Sequence, residues 1–157
     1  MSPKVVFVLK TASLTRWHDE GRKKDGLLRH PVDSPLWADF DMKHPKFTED
    51  SRNIRLAFAS DGFNPYRMQN VSYSIWPGIC IPLNFPPSMC MKQSNFILSF
   101  LIPGKEAPGS DMNLYCEPLV NDLLDMIEHG VRTYDASGES SSNCGQQYCG
   151  LLLISLI

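Results

Sequence analysis

The 157 residues carry 43% hydrophobic, 20% charged and 10% aromatic side chains, the balance of a single globular domain rather than of a disordered chain. Fifteen Lys and Arg against 17 Asp and Glu leave a formal net charge of -2, so no basic field announces nucleic acid and no acidic tail is present. Twelve prolines and ten glycines argue against a helical bundle, because each proline removes a backbone donor and fixes one torsion; strands and irregular loops should dominate.

The run Val5-Val6-Phe7-Val8-Leu9 is too short for a secretory core and lacks a small-residue cleavage site, so secretion is not indicated. The charged stretches around Arg16 to Glu20 and Arg22 to Gly26 suggest an exposed segment that ends in an Asp25-Gly26 turn. Ser34-Pro35 can cap and start a short helix through Trp37, Phe40 and Asp41, stopped before His44-Pro45, with Trp37 and Phe40 sharing its buried face. Residues 53–60 alternate Ile54, Leu56 and Phe58 against Arg55, Ala57 and Ala59, the period of a strand with one apolar face. That strand ends at Asp61-Gly62-Phe63-Asn64-Pro65, where turn residues place the Asp61 carboxylate at the mouth of a loop.

A second strand is expected over 71–76, broken at Pro77-Gly78 and resumed over 79–81, and a third over 96–102, followed by a Pro103-Gly104-Lys105 loop. Leu119, Val120, Leu123, Leu124 and Ile127 then recur at helical spacing, with Pro118 near the start and Gly130 as the C-terminal cap. Residues 131–134 begin a fourth strand. The order implies a mixed α/β sheet whose later elements are not evident. Residues 151–157 are too few to span a bilayer and read as a short buried strand or a tail with no native partner.

The five cysteines, Cys80, Cys90, Cys116, Cys144 and Cys149, have no zinc-knuckle spacing and read as free thiols. No phosphate loop, zinc-protease helix or serine elbow is present. His18 and His30 read as hydrogen-bonded loop residues, Trp17, Trp37 and Trp76 as packing, and Arg29 and Lys92 as ordinary surface cations. The Asn70-Val71-Ser72 sequon is discounted for want of a secretion signal. A carboxylate leaving a core strand beside glycine can bind a hard cation such as Mg²⁺, though on spacing alone Asp-Gly is more often a turn former.

Leu28-Arg29-His30-Pro31-Val32-Asp33-Ser34-Pro35-Leu36-Trp37, Asn53-Ile54-Arg55-Leu56, Ser60-Asp61-Gly62-Phe63-Asn64-Pro65, Tyr73-Ser74-Ile75-Trp76-Pro77, Pro86-Pro87-Ser88-Met89-Cys90-Met91-Lys92 and Thr133-Tyr134-Asp135-Ala136 together resemble the transposase of plant En/Spm (CACTA) DNA transposons, in order, from Lys10 to Ser137. The resemblance implies an RNase H-like catalytic core in which acidic residues hold two Mg²⁺ or Mn²⁺ ions for strand cleavage and transfer. On that basis Asp61 is the first acidic residue and a metal ligand, Gly62 keeps its loop clear for substrate, transposon-end DNA is the partner, and the location is nuclear. No membrane partner is implied.

Asp135 lies in a matched segment but is not promoted to a ligand. Beyond it, residues 138–157 depart from the family pattern, which implies a chain lacking most of the acidic set. The expected organisation is an N-terminal extension with a short helix over 1–52, a partial RNase H-like core over 53–137, and a divergent tail over 138–157. Such a chain would be an inactive transposase fragment. The alternative is a DNA-binding or transposase-interacting fragment, which pairs with a full-length transposase without catalysing. A third reading is a decayed product that does not fold stably.

Overall fold

The computed structural model describes residues 12–66, 73–134, 146–149 and 151–155. Its centre is a mixed sheet built from β1 (Ile54–Ser60), β2 (Ser74–Pro82), β3 (Ile97–Gly104) and a late strand, β6 (Leu151–Ser155), in the order β3-β2-β1-β6. The first three strands are antiparallel, and β6 runs parallel to β1 with Ile54 opposite Leu151 and Phe58 opposite Ser155. The mixed α/β architecture expected from the residue pattern is therefore present. The fourth strand is not where it was expected. β4 (Val131–Tyr134) forms, but it pairs with β5 (Gln146–Cys149) in a separate two-stranded sheet, and the outer edge of β1 goes to β6. A strand edge left open exposes a row of unpaired backbone donors and acceptors, and the apolar 151–155 segment satisfies that row on β1.

The N-terminal layer begins with a 3₁₀ turn, Ala12–Arg16, and a π turn, Trp17–Gly21. This stretch is exposed only in part: Asp19, Glu20 and residues 23–26 face solvent as their charges suggested. Thr15 and His18 are buried, and Leu14 and Trp17 pack against the core, because the charged residues alternate with groups turned inward. The Asp25-Gly26 turn does form in solvent, with Gly26 at φ 79° and the Arg29 guanidinium donating to both Asp25 oxygens at 2.7 and 2.8 Å. His30 caps the 3₁₀ turn Pro31–Asp33: its Nδ1 accepts from the Val32 amide at 3.3 Å, while the Asp33 carboxylate accepts from the His30 amide at 3.1 Å.

Helix α1 (Pro35–Lys43) then starts where the sequence placed it. Ser34 Oγ accepts from the Trp37 amide at 3.3 Å, proline occupies the first turn, and His44 closes the end by donating to the Phe40 carbonyl at 2.9 Å.

β1 has no solvent face over its first half. Ile54, Leu56 and Cys80 pack with Leu123 on one side, and Ala57, Trp37, Val32, Leu83, Phe85 and Cys90 pack on the other. Arg55, expected outside, is 2% exposed. Its guanidinium carbon lies 3.9 Å from the Trp37 ring centroid and 4.8 Å from that of Phe40, and its Nη2 donates to Asp41 Oδ1. Nε and Nη1 have no hydrogen-bond acceptor among the described residues, and the cation lies over the aromatic rings instead. Asn84 locks the backbone beside it: Oδ1 accepts from the Arg55 amide at 2.7 Å, and Nδ2 donates to the Asn53 carbonyl at 3.0 Å. His18 Nδ1 completes the cluster, 3.0 Å from the Thr15 carbonyl and 3.2 Å from Asn84 Nδ2.

Helix α2 (Met112–His129) covers the other face, with Leu123 buried and Leu119 and Met126 beside it. It starts earlier than its apolar period suggested, so Pro118 lies in its interior and removes one intrahelical donor. Gly130 caps it at φ 68° and donates to the Met126 carbonyl at 2.9 Å, as its position in the sequence implied.

Two predictions follow from the buried polar cluster. Asp41→Asn leaves the Arg55 cation buried without its counter-ion and should cost about 3 kcal/mol in urea unfolding, less than a fully enclosed pair because Asp41 is 33% exposed. The double variant Asp41→Asn, Arg55→Met should recover part of that loss; a double variant no better than the single one would disprove the unpaired-charge account.

His18 and His30 both have pKa values lowered by burial. Their unfolded forms take up protons first, so their contribution is intact above about pH 6.5 and is lost as the pH falls through the lower folded values. Thermal unfolding between pH 7 and 5 should show falling stability, with His18→Gln flattening the slope. The Asp25 carboxyl, held at about 2 by Arg29, titrates below that window.

Candidate strand-end carboxylate site

Asp61 stands at the C-terminal end of β1, exposed, and its Oδ1 accepts from the Gly62 amide at 2.8 Å. Alternation along β1 puts it on the face that carries Arg55, Ala57 and Ala59. The N-terminal layer covers Ala57 and leaves Ala59 exposed, so Asp61 emerges beyond the rim of that layer. The Asn64-Pro65 turn closes behind it, Asn64 Oδ1 accepting from the Tyr66 amide at 2.9 Å. Because β6 is parallel to β1, the carboxyl ends of both strands point toward the same end of the sheet, the usual place for ligand chemistry in open α/β sheets.

The opposite strand shapes this corner. β2 runs as one strand through Pro77-Gly78, and the interruption expected there appears only as a register shift against β3 between Gly78 and Ile79. The ladder instead opens on β1. Its last regular pair is Ser60 with Gly78, and pairing returns in the same register at Phe63 with Ile75, whose amides and carbonyls exchange bonds of 3.0 and 2.9 Å. Asp61 and Gly62 therefore face Pro77 and Trp76.

A Cβ added to Gly62 would lie 2.4 Å from Trp76 Cε2, so the indole fills the space that a side chain would take. Gly62 is covered by Trp76 rather than standing clear for substrate. Trp76 Nε1 donates to Ser74 Oγ at 3.2 Å, which fixes the ring.

The remaining candidates are not at this corner. His18 and His30 are buried in the N-terminal layer, hydrogen-bonded as expected of loop histidines. Arg29 is engaged by Asp25, and Lys92 lies in the exposed turn before β3. Trp37 and Trp17 pack in the core. Cys80 and Cys90 are buried free thiols with pKa values raised by burial, and Cys116 is a partly buried one. Asp135, the Asn70 sequon and Cys144 lie outside the described residues, as does the side chain of Cys149.

No cluster of three His, Cys, Asp or Glu side chains occurs among the described residues. Asp61 has the hard-oxygen chemistry of a Mg²⁺ or Mn²⁺ ligand, and as a single carboxylate it suits an ion that keeps most of its waters. None of the helices among the described residues is long and apolar enough to cross a membrane. A further polar cavity of about 570 Å³ lies among Arg16, Lys46, Glu49, Asp50, Ser51 and Arg52, where Arg52 is already paired with Asp50.

Fold and site together define an α/β protein with one exposed acidic side chain at the carboxyl end of a central strand. Residues 25–146 match the Transposase family tnp2, most of the chain, and the protein belongs to that family. The match takes in the Asp61 corner and α1, starts after Trp17-His18, and runs past Ser137. No curated protein and no solved structure matches the chain.

Sequence reasoning placed Asp61 at the end of a strand, where it stands, and missed Trp76 and Pro77 as its neighbours. The signal was present in the Trp76-Pro77-Gly78 triplet, which becomes informative only once paired against Ser60-Asp61-Gly62. Gly62→Ala should force the indole aside, lowering stability by about 1–3 kcal/mol and changing the near-UV circular dichroism. An unchanged spectrum and melting temperature would mean that the ring does not occupy this space.

Proposed function

We propose that this protein is a transposase-type protein of the En/Spm (CACTA) class, related to plant enzymes that cut and join DNA at transposon ends with an RNase H-like DDE core. Asp61 would be the first acidic ligand of that core. The observation that carries the reading is the exposed Asp61 carboxylate at the end of β1, within a chain that belongs to a transposase family. A pair of Mg²⁺ or Mn²⁺ ions would supply the charge that stabilises the attacking and leaving oxygens of a phosphodiester. Asp61 would hold one of them, and Gly62 would keep its carboxylate oriented by donating to Oδ1.

One carboxylate does not make a two-metal centre, and no group of three His, Cys, Asp or Glu side chains able to hold a metal ion forms among the described residues. We therefore propose that this chain alone does not turn over and that its DNA chemistry requires acidic ligands beyond those described. A chain that keeps the family sheet but not the reaction could still associate with a full-length transposase or with transposon-end DNA, and would act in the nucleus, where those ends lie.

The test has two arms. The purified chain, given Mg²⁺ and duplexes carrying terminal inverted repeats, should show no cleavage; metal-dependent turnover abolished by Asp61→Ala would overturn its inactivity. In a full-length transposase carrying the same Ser-Asp-Gly-Phe-Asn-Pro segment, Asn in place of that Asp should reduce strand cleavage by about 10³-fold or more. Undiminished cleavage would remove Asp61 from the metal site.

A further inference from the structure

Pro77 lies in the middle of a central strand, a position proline normally avoids because it cannot donate to the ladder. The register explains why it is tolerated. In an antiparallel pair, hydrogen-bonded and non-hydrogen-bonded positions alternate, and each residue turns its N–H and C=O toward the same neighbour. Phe63 with Ile75 is a hydrogen-bonded pair, because the two residues exchange both bonds. At the other end of the strand the Leu83 amide donates to the Arg55 carbonyl at 2.8 Å, which fixes the same phase. Asp61 with Pro77 falls on a hydrogen-bonded position between these two.

The bond missing at Pro77 is thus the one that an amide at position 77 would give to the Asp61 carbonyl. The ladder to β3 loses nothing, since residue 77 points its amide position at β1.

The next pair, Gly62 with Trp76, is a non-hydrogen-bonded one, where the strands approach most closely and side chains crowd. The indole lies in the space of the absent Gly62 Cβ. Regular pairing stops after Ser60 and resumes at Phe63, and the residues facing the gap on the opposite strand are a proline and a tryptophan in succession.

We infer that Pro77 and Trp76 are positioning residues for Asp61: the proline withholds the ladder bond that would bind Asp61 into the sheet, and the indole over Gly62 holds the opened corner in one shape. This rests on the reading of Asp61 as a metal ligand, but the ladder geometry can be tested separately. The positioning residues touch neither metal nor DNA; they act through the backbone of the residue that does.

The experiment uses the ¹⁵N-labelled full chain and its Pro77→Ala and Pro77→Val variants, which introduce an amide at position 77 while keeping a strand-compatible residue. That new amide should exchange with solvent at least about tenfold more slowly than an unpaired one, because it now donates to Asp61. Mn²⁺ is the probe of the carboxylate. Its selective broadening of the Asp61 and Gly62 amides, judged against exposed Asp122 on α2, should be present in the native chain and lost in both variants and in Asp61→Asn.

A rapidly exchanging amide at 77 in both variants would overturn the ladder account. Slow exchange with undiminished Mn²⁺ broadening would overturn the positioning role. Absence of broadening in the native chain would overturn the ligand reading itself, and the exchange measurement would still decide whether Pro77 holds the ladder open.

Discussion

The structure depends on where one guanidinium goes. Arg55 sits in the first half of the central strand, and its charge can be buried only because Asp41 neutralises it and Trp37 and Phe40 present their ring faces to it. All three partners lie on α1, so the cation joins the N-terminal layer to the sheet. The Asn84 bond to the Arg55 amide then ties the end of β2 to the same point. Without this cluster the two layers would meet through apolar contacts alone, which specify proximity but not register.

That arrangement makes the N-terminal extension and the sheet one packed body. Residues 12–52 supply one wall of the core, with Val32 and Trp37 buried like the core residues of the strands. The layer ends short of Asp61, and this boundary is what leaves the carboxylate accessible. On the opposite face, α2 packs Leu123 against Ile54, Leu56 and Cys80 while Val120, Leu124 and Ile127 stay exposed. Along β1 itself, residues 54–57 are buried while Ala59 and the following Asp61 are exposed.

The Asp61 corner shows how a break in a strand ladder can be matched by residues on its neighbour. Asp-Gly is compatible with many turns, but here the hairpin keeps one register on both sides of the break. The Trp76-Pro77 pair faces it and is its inferred cause. A carboxylate released in this way sits on a rigid scaffold while its own backbone is only lightly bonded, a combination suited to a metal ligand that must be exposed yet well placed. The corner lies within residues 25–146, the region that matches the Transposase family tnp2.

Much of this was legible in the residues. Ser34-Pro35 and His44-Pro45 delimit α1, Gly130 ends α2, alternation reveals β1, and the turn residues after Ser60 place Asp61 at a strand end, because caps, turns and periods are local properties of a segment. The burial of Arg55 was not legible: alternation marks the apolar face, and a cation on the other face reads as solvent-exposed until aromatic rings and a carboxylate from another segment close over it. The same holds for β2 as a single strand, where Pro77 looks like a break until register shows that its missing donor concerns β1 alone. The placement of the 151–155 segment against β1, rather than of 131–134, was likewise outside the sequence pattern, because an apolar run states that it needs a partner and not which one. Sequence determined the elements and the candidate carboxylate; tertiary pairing decided which faces were buried, which edge was filled and what holds Asp61 open, since those depend on contacts between segments distant in the chain.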